Sequence, residues 1–311
     1  MGLLHIIKPG MMMTVQDRGR FGLLRSGVSP SGPMDFPSFA IANALVGNEE
    51  TAAALEFAYI GGTFSVTHPA LFSVTGGAAD IQVDGQRVAP WKSHRLLPGE
   101  TVSIGGLRQA VWGYLAISGG IATEPVLGSR ATHMRTSIGG MEGRALIAGD
   151  ELPLGTGEAG PARRLNSVWR RVNGAIRVVP GPQDDYFDAA AWNTFLKSPF
   201  TISDKRDRMA MMLEGPEIKA FRGNDIVSDA TLAGSIQVPG SGTPIVLMAD
   251  RQTTGGYPKI ATVSSVDLPR LAQMPRGAAL RFAAIPQARA EALLIAQHGA
   301  LANALAELAT T

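Results

Sequence analysis

The chain has 311 residues, among them 37 glycines, 20 prolines and no cysteine, and 28 basic residues set against 26 acidic ones leave a net charge of +2. The missing cysteine excludes disulfides, thiolate metal sites and a cysteine nucleophile. The balanced charge, with Arg163-Arg164 and Arg170-Arg171 as the densest basic pairs, gives no footprint for nucleic acid.

No apolar run approaches the roughly 20 residues of a membrane span, and no basic region precedes the first apolar segment as a secretory signal would require. A soluble, cytoplasmic protein is therefore expected. The length suggests about two domains. Abundant glycine and proline with few aromatics suit short strands and tight turns better than a helical bundle.

Leu3 to Lys8 is strand-like and ends at Pro9-Gly10. Thr14-Val15-Gln16-Asp17-Arg18-Gly19-Arg20 follows, a carboxylate and two guanidinium groups around a glycine. Such a set can hold an anion bidentately or staple a loop, and in isolation the staple is the preferred reading. Ser31-Gly32-Pro33-Met34-Asp35 is a turn feeding a helix from Pro37 to about Val46, with Asp35 or Ser38 as its cap and Gly47 as its end. Asn43 falls inside that helix and Asn48 beyond it. Glu56 precedes the apolar Phe57 to Ile60, where a carboxylate needs a partner; structural pairing is expected.

From Gly61 to Gly120 the pattern is strand and turn, with strands at Thr63–Val66, Leu71–Thr75, Ile81–Val83, Thr101–Ile104 and Ala110–Ile117. Asp84-Gly85 is a strong two-residue hairpin signal. A weak echo links Leu97 to Ile104, Ile147 to Leu154 and Met274 to Phe282, each a glycine turn followed by a strand. It reads either as related barrels repeated along the chain or as chance likeness among hairpins.

The Gly-, Pro- and Arg-rich stretch from Gly155 to Asn173 is the best domain boundary. The expected division is a β-rich domain over 1–157, a linker over 158–174, a second domain over 175–285 and a helix over 286–311. The second domain opens with a strand, Ala175 to Val179, and a short helix from Asp188 to Phe195. Ser203-Asp204-Lys205-Arg206-Asp207-Arg208-Met209 is a polar concentration, and Ser235-Ile236-Gln237-Val238-Pro239 sets a glutamine in an apolar frame.

Ile245 to Ala249 reads as a buried strand. It runs into Asp250-Arg251-Gln252-Thr253-Thr254-Gly255-Gly256-Tyr257-Pro258, where an acid, a base, an amide, two hydroxyls and a phenol crowd a strand end. The Gly-Gly pair permits close approach of another backbone or a ligand. Taken alone, the segment reads equally as a site and as a well hydrogen-bonded turn. After Pro286 the chain is Ala- and Leu-rich, an amphipathic helix despite Gly299 that would pack or bind a partner.

Several chemistries are excluded by motif. No glycine-rich loop leads into Lys and Ser/Thr, no dinucleotide fingerprint occurs, and no Met-Lys-Met biotin attachment site is present. The five histidines, His5, His68, His94, His133 and His298, lack metal-ligand spacing.

Gln16 to Arg20, Ser31 to Asp35, Asn43 through Gly47-Asn48, Leu55-Glu56, Ser118-Gly119-Gly120-Ile121 and Leu127-Gly128-Ser129-Arg130 occur in a distinctive order. So do Gly181-Pro182-Gln183, Asp207-Arg208-Met209, Ile236 to Pro239 and Gln252 to Pro258. Together they resemble the KipA family, also called allophanate hydrolase subunit 2 or the C subunit of 5-oxoprolinase (PxpC), from about Ile7 to Phe282.

The resemblance implies a mainly β fold, two β-rich lobes with cyclophilin-like β-barrel character, a few short helices and a C-terminal helix. It implies a subunit of an ATP-dependent 5-oxoprolinase that opens 5-oxoproline to L-glutamate with KipI/PxpB-type and PxpA-type partners and is inactive alone. The alternatives it carries are a biotin-dependent carboxyltransferase-type subunit acting on urea or a related amide, and a regulatory protein that binds a KipI-like inhibitor.

Both lactam and urea need donors aimed at the carbonyl oxygen and acceptors for N–H. On the resemblance, Asp207, Arg208, Asp250, Gln252 and Tyr257 are the catalytic candidates. Gln237, Thr253, Thr254, Gly255, Gly256, Asp17, Arg18, Arg20 and Asp35 are the substrate-binding candidates, with no metal. Ala210 and Met212 stand where the family usually has Gly and Arg, and Asp229 replaces a more usual Glu.

Overall fold

Alternating apolar side chains dictate two sheets, each curled around its own core. The computed structural model describes residues 2–157, 160–166, 169 and 171–310, and the chain falls into two compact units. The first comprises Met1–Arg20, Ser31–Trp169 and Leu301–Thr311; the second comprises Phe21–Pro30 and Arg170–Ala300. Within the expected linker, Glu158, Ala159, Ser167, Val168 and Arg170 lie outside the described residues.

In the first unit the strands are β1 (Leu3–Gln16), β2 (Ala54–Val66), β3 (Ala70–Thr75), β4 (Ala78–Val83), β5 (Gln86–Val88), β6 (Ser93–Leu96), β7 (Thr101–Arg108), β8 (Trp112–Ile117) and β9 (Glu151–Pro153). They form one barrel-like sheet in the order β5-β4-β7-β2-β8-β3-β6, with β1 pairing to both β2 and β9. Phe57, Phe64, Phe72, Leu115 and Ile117 are fully buried in its core.

β1 does not stop at Pro9-Gly10. Its register against β2 shifts three times between Ile6 and Thr14, so the proline and glycine are absorbed in bulges rather than spent on a turn. A Cβ on Gly10 would meet the Ile60 carbonyl oxygen at 2.4 Å. At the β4–β5 hairpin Asp84 and Gly85 have φ of 45° and 82°, the two positive values that a type I′ turn demands.

Helix α1 (Phe36–Leu45) starts at Asp35, whose carboxylate accepts from the Ser38 amide at 3.2 Å. Its Ala40, Ile41 and Leu45 pack with Leu301. A two-residue strand β10 (Arg163–Arg164) pairs antiparallel with Ala309–Thr310.

The second unit contains β11 (Ile176–Pro180), α2 (Ala189–Lys197), β12 (Phe200–Arg206), β13 (Ala210–Glu214), β14 (Asp229–Ala230), β15 (Ser235–Gln237), β16 (Ile245–Leu247), β17 (Thr254–Gly255), β18 (Lys259–Val263), α3 (Leu268–Ala272), β19 (Ala279–Leu280) and β20 (Phe282–Ala284). Eight of the strands form a second barrel-like sheet, β19-β12-β13-β16-β15-β18-β11-β20, while β14 and β17 pair separately. The two ends of that path, β19 and β20, are separated in sequence by Arg281 alone. Phe195 stacks on Phe282 with centroids 4.5 Å apart, and both rings abut Phe200.

Helix α4 (Gln287–Ala306) is present as expected, but its apolar residues do not form a buried stripe. Leu301 is its one buried residue, and Ile295 is 72% exposed. No helix among the described residues is long and apolar enough to cross a membrane.

Candidate functional site

The polar residues of the second unit are positioned by two strand ends. After β12 the chain turns on Asp207, whose Oδ1 accepts from the amides of Met209 at 2.7 Å and Ala210 at 3.0 Å. Such an aspartate turn fixes the backbone by itself. It sends Arg208 inward, where Arg208 is 2% exposed and donates to both oxygens of Asp250 at 2.8 and 3.0 Å. The Asp250 amide also donates to the Arg208 carbonyl at 2.8 Å. Both oxygens of Asp250 are thus engaged in one buried, bidentate pair.

Residues 250–258 leave β16 and fold over β15 and β14. Arg251 is 5% exposed, and its Nε donates to the Thr231 carbonyl at 3.4 Å. No carboxylate among the described residues pairs with it, and burial pulls its guanidinium below the ordinary arginine range. Gln252 is exposed and donates from Nε2 to Oε1 of the buried Gln237 at 3.3 Å. Nε2 of Gln237 is buried and has no hydrogen-bond partner among the described residues.

Gly255 explains how that amide is covered: a Cβ there would lie 2.4 Å from Gln237 Nε2, so only glycine permits the approach. β17 is held against β14 through the Asp229↔Gly255 and Ala230↔Thr254 pairs. The Thr231 hydroxyl donates to the Gln252 carbonyl, and the Gly256 carbonyl accepts from the Ile226 amide at 2.8 Å. Thr254 and Tyr257 are exposed and Thr253 is half-buried.

Beneath the hairpin lies a second ion pair. Lys259, 1% exposed, donates from Nζ to Oδ2 of Asp229 at 2.9 Å. Gln183 bridges them: its Nε2 donates to the same oxygen at 3.2 Å and its Oε1 accepts from the Lys259 amide at 3.2 Å. Lys259, then Gln183 and the Ala230 amide, hold the Asp229 carboxyl below the ordinary aspartate range. In the β15–β18 register Lys259 lies opposite Gln237, which ties this pair to the amide cluster.

The structure therefore gathers Gln237, Gln252, Thr253, Thr254, Gly255, Gly256 and Tyr257 around one hairpin, with Asp207, Arg208 and Asp250 at its base. Asp17, Arg18, Arg20 and Asp35 belong to the first unit. There Asp17 accepts from the Gly19 amide, the Ser129 hydroxyl and the Arg130 amide. Arg20, 2% exposed, donates to the carbonyls of Val126, Ser129 and Ala131. Arg18 lies near Glu50 at 3.7 Å and over the Phe36 ring, and Asp35 caps α1. Glu56 has the structural partners expected of it: the Tyr114 hydroxyl and the Met34 amide, each donating at 2.8 Å. Burial, then the Glu56 and Asp35 charges, push the Tyr114 phenol well above its usual range.

Sequence reading missed Lys259 and its partnership with Asp229 and Gln183, and it named Arg251 without assigning it a role. A lysine at the start of an apolar strand was the available signal, because a buried charge demands a partner. Among the described residues no group of three or more His, Asp or Glu side chains could hold a metal. With Arg208 and Lys259 neutralised, the site offers the Arg251 guanidinium, which no acid among the described residues compensates, paired carboxamides and a hydroxyl-bearing rim. That set suits a small carboxylate that also carries an amide.

Comparison with known proteins gives a consistent picture. The family described as carboxyltransferase domain, subdomains A and B, matches residues 26–284. The chain is 39% identical to the C subunit of 5-oxoprolinase from Escherichia coli (strain K12) over 287 residues, 90% of each protein. It is 33% identical to the Haemophilus influenzae protein of the same name, over 91% of each. It is 30% identical to urea amidolyase of Saccharomyces cerevisiae over 90% of this chain but 16% of that one.

Among solved structures, urea carboxylase of Kluyveromyces lactis superposes with a TM-score of 0.89 at 26% identity, covering 97% of this chain and 29% of that protein. TTHA0988 superposes with a TM-score of 0.83 at 35% identity over 91% of this chain. The chain spans about half of TTHA0988, 56% of its length.

Proposed function

The chain belongs to the carboxyltransferase-domain family, and we propose that it is the C subunit of an ATP-dependent 5-oxoprolinase. On this reading it opens the lactam of 5-oxoproline to L-glutamate in complex with KipI/PxpB-type and PxpA-type subunits and is inactive alone. The observation that carries the reading is 39% identity to the C subunit of a 5-oxoprolinase along 90% of both proteins.

The hairpin site supplies a chemical role for this subunit. The substrate carboxylate is held by Arg251, whose nearly buried guanidinium pairs with no acid among the described residues. A guanidinium in a dry setting binds a carboxylate more strongly than one in water. The lactam edge lies against Gln252, Thr253, Thr254 and Tyr257, which donate to the carbonyl oxygen as negative charge grows there. Gln237 fixes the Gln252 carboxamide, while the Arg208–Asp250 pair and the Lys259–Asp229–Gln183 cluster position the hairpin.

ATP makes the opening of an unreactive amide favourable through its hydrolysis. A triphosphate calls for several cations or a cradle of backbone amides. Arg208 and Lys259 are committed to Asp250 and Asp229, so the hairpin residues do not fit that group. We therefore place ATP binding on one of the partner subunits. A carboxyltransferase reading rests on the urea amidolyase similarity. It requires a separate biotin carrier and predicts carrier-dependent carboxylation of urea or a related amide.

The test is reconstitution. The chain mixed with both partner subunits, ATP and 5-oxoproline should release glutamate, while the chain alone should release none. A verified three-subunit assembly that yields no glutamate would overturn the proposal.

A further inference from the structure

Three of the segments that carried the family resemblance take no part in the hairpin site, yet in the first unit they converge. Gly47-Asn48, Gly119 of Ser118-Gly119-Gly120 and Arg130 of Leu127-Gly128-Ser129-Arg130 line one half-open cleft of about 360 Å³. Glu49, Thr51 and Thr156 complete its polar wall. We propose that this cleft binds a free α-amino acid, with the carboxylate on Arg130 and the ammonium towards Glu49.

The walls are built rather than incidental. Asn48 donates from Nδ2 to the Ile117 carbonyl at 2.8 Å and to Asn43 Oδ1 at 2.9 Å, while its Oδ1 accepts from the Gly119 amide at 2.8 Å. Gly119 sits at φ +87°, and a Cβ on it would meet the Gly155 carbonyl oxygen at 2.4 Å. Two main chains therefore touch directly, a contact open only to glycine. Arg130 is anchored at both ends: its amide donates to Asp17 Oδ2 at 2.5 Å and its Nε to the Thr123 carbonyl at 2.7 Å. Neither of its Nη groups has a hydrogen-bond or ion-pair partner among the described residues.

The charges select the ligand. Glu49 has no ion-pair partner among the described residues and shares the cleft with Arg130, yet the two do not pair with each other. The cleft also borders the carbonyl end of α1, at Val46 and Gly47, where the helix carries partial negative charge. A plain anion would be repelled by Glu49 and a plain cation by Arg130, while at that helix end the Ala44 carbonyl already accepts from the Arg163 guanidinium at 3.2 Å. A zwitterion satisfies both, and the volume falls in the range of small-molecule sites.

Isothermal titration of the full chain with L-glutamate tests this without reference to catalysis, so its outcome is independent of the hydrolase reading. Saturable binding is expected, weakened about tenfold or more in Arg130→Gln and in Glu49→Gln, which corresponds to the loss of one charge-assisted contact. Glu49 is exposed and makes no side-chain hydrogen bond or ion pair among the described residues, so Glu49→Gln remains informative if Arg130→Gln fails to fold. L-Glutamine should compete, whereas inorganic phosphate and 5-oxoproline, which lacks the ammonium, should not displace bound glutamate. Absence of saturable glutamate binding, displacement by phosphate, or unchanged affinity in Glu49→Gln would overturn the proposal.

Discussion

Arg251→Gln separates a binding residue from a structural one. Among the described residues the side chain, 5% exposed, makes a single 3.4 Å bond to the Thr231 carbonyl and has no acid partner. Removing one neutral-acceptor hydrogen bond costs about 0.5–1.5 kcal/mol, and removing an uncompensated buried charge offsets that loss. Net stability should therefore move by less than about 1 kcal/mol. A charge-assisted bond to a substrate carboxylate is worth about 1.5–3 kcal/mol, so KM for 5-oxoproline should rise about 10- to 150-fold. Arg251→Lys should fall between, since it keeps the charge and loses the planar fork. Urea unfolding of the chain and glutamate release by the reconstituted complex measure the two effects. Unchanged KM, or a stability loss above about 2 kcal/mol, would refute the assignment.

Asp250→Asn should behave in the opposite way. It removes the carboxylate charge that pairs with Arg208, which is 2% exposed, at a stability loss of about 3–5 kcal/mol, and a shift in unfolding free energy below about 1 kcal/mol would show the pair to be dispensable. Gly255→Ala should push Gln237 away from Gln252, because the new Cβ would sit 2.4 Å from its Nε2; kcat/KM of the complex should drop with a stability loss of about 1–3 kcal/mol, and wild-type kcat/KM would contradict the role given to the amide pair. Acid sensitivity should follow Asp267. Burial pushes its carboxyl up, but bonds from the Arg177 side chain and amide, together with the Arg270 charge, more than offset this and hold it below the ordinary aspartate range. A folded-state value lowered in this way contributes stability above the unfolded pKa, and that contribution is lost as pH falls through the folded value. Tryptophan fluorescence should report a falling urea midpoint below about pH 3.9, the unfolded aspartate value, in the wild type and a flatter pH profile in Asp267→Asn.

Local chemistry made much of the fold readable. Asp35 was readable as a cap, and Asp188 as the start of a short helix, because a carboxylate three residues before a free amide needs no tertiary context. The three echoing segments share one local device. The amides of Glu100, Asp150 and Ala278 each donate to the carbonyl three residues earlier, at Leu97, Ile147 and Pro275, with Gly99, Gly149 and Gly277 at positive φ. That is a type II-like turn, which recurs in both units.

Features set by distant partners were not readable. The polar run Ser93–Leu96 became β6 by pairing with β3. β1 continued through Pro9-Gly10 because β2 bulges with it. In the site, the members of the 250–258 hairpin were legible from composition. The pairing of Lys259 with Asp229, 30 residues earlier in sequence, depends on sheet register, which one sequence does not display. The amphipathic reading of α4 rested on helical periodicity, and periodicity does not say which faces find a partner.

The second barrel-like sheet carries its seam in the covalent chain. Its terminal strands, β19 and β20, are joined through Arg281, an exposed residue whose carbonyl accepts from the Ile176 amide at 2.7 Å. A sheet zipped shut only by hydrogen bonds can breathe open at its weakest rung. Here separating the two ends means stretching a main chain one residue long. A single proteolytic cut after Arg281 would leave each terminal strand on its own ladder, to β12 and to β11, yet free the two margins to part and admit a foreign strand. One peptide bond thus keeps the two margins of the barrel side by side.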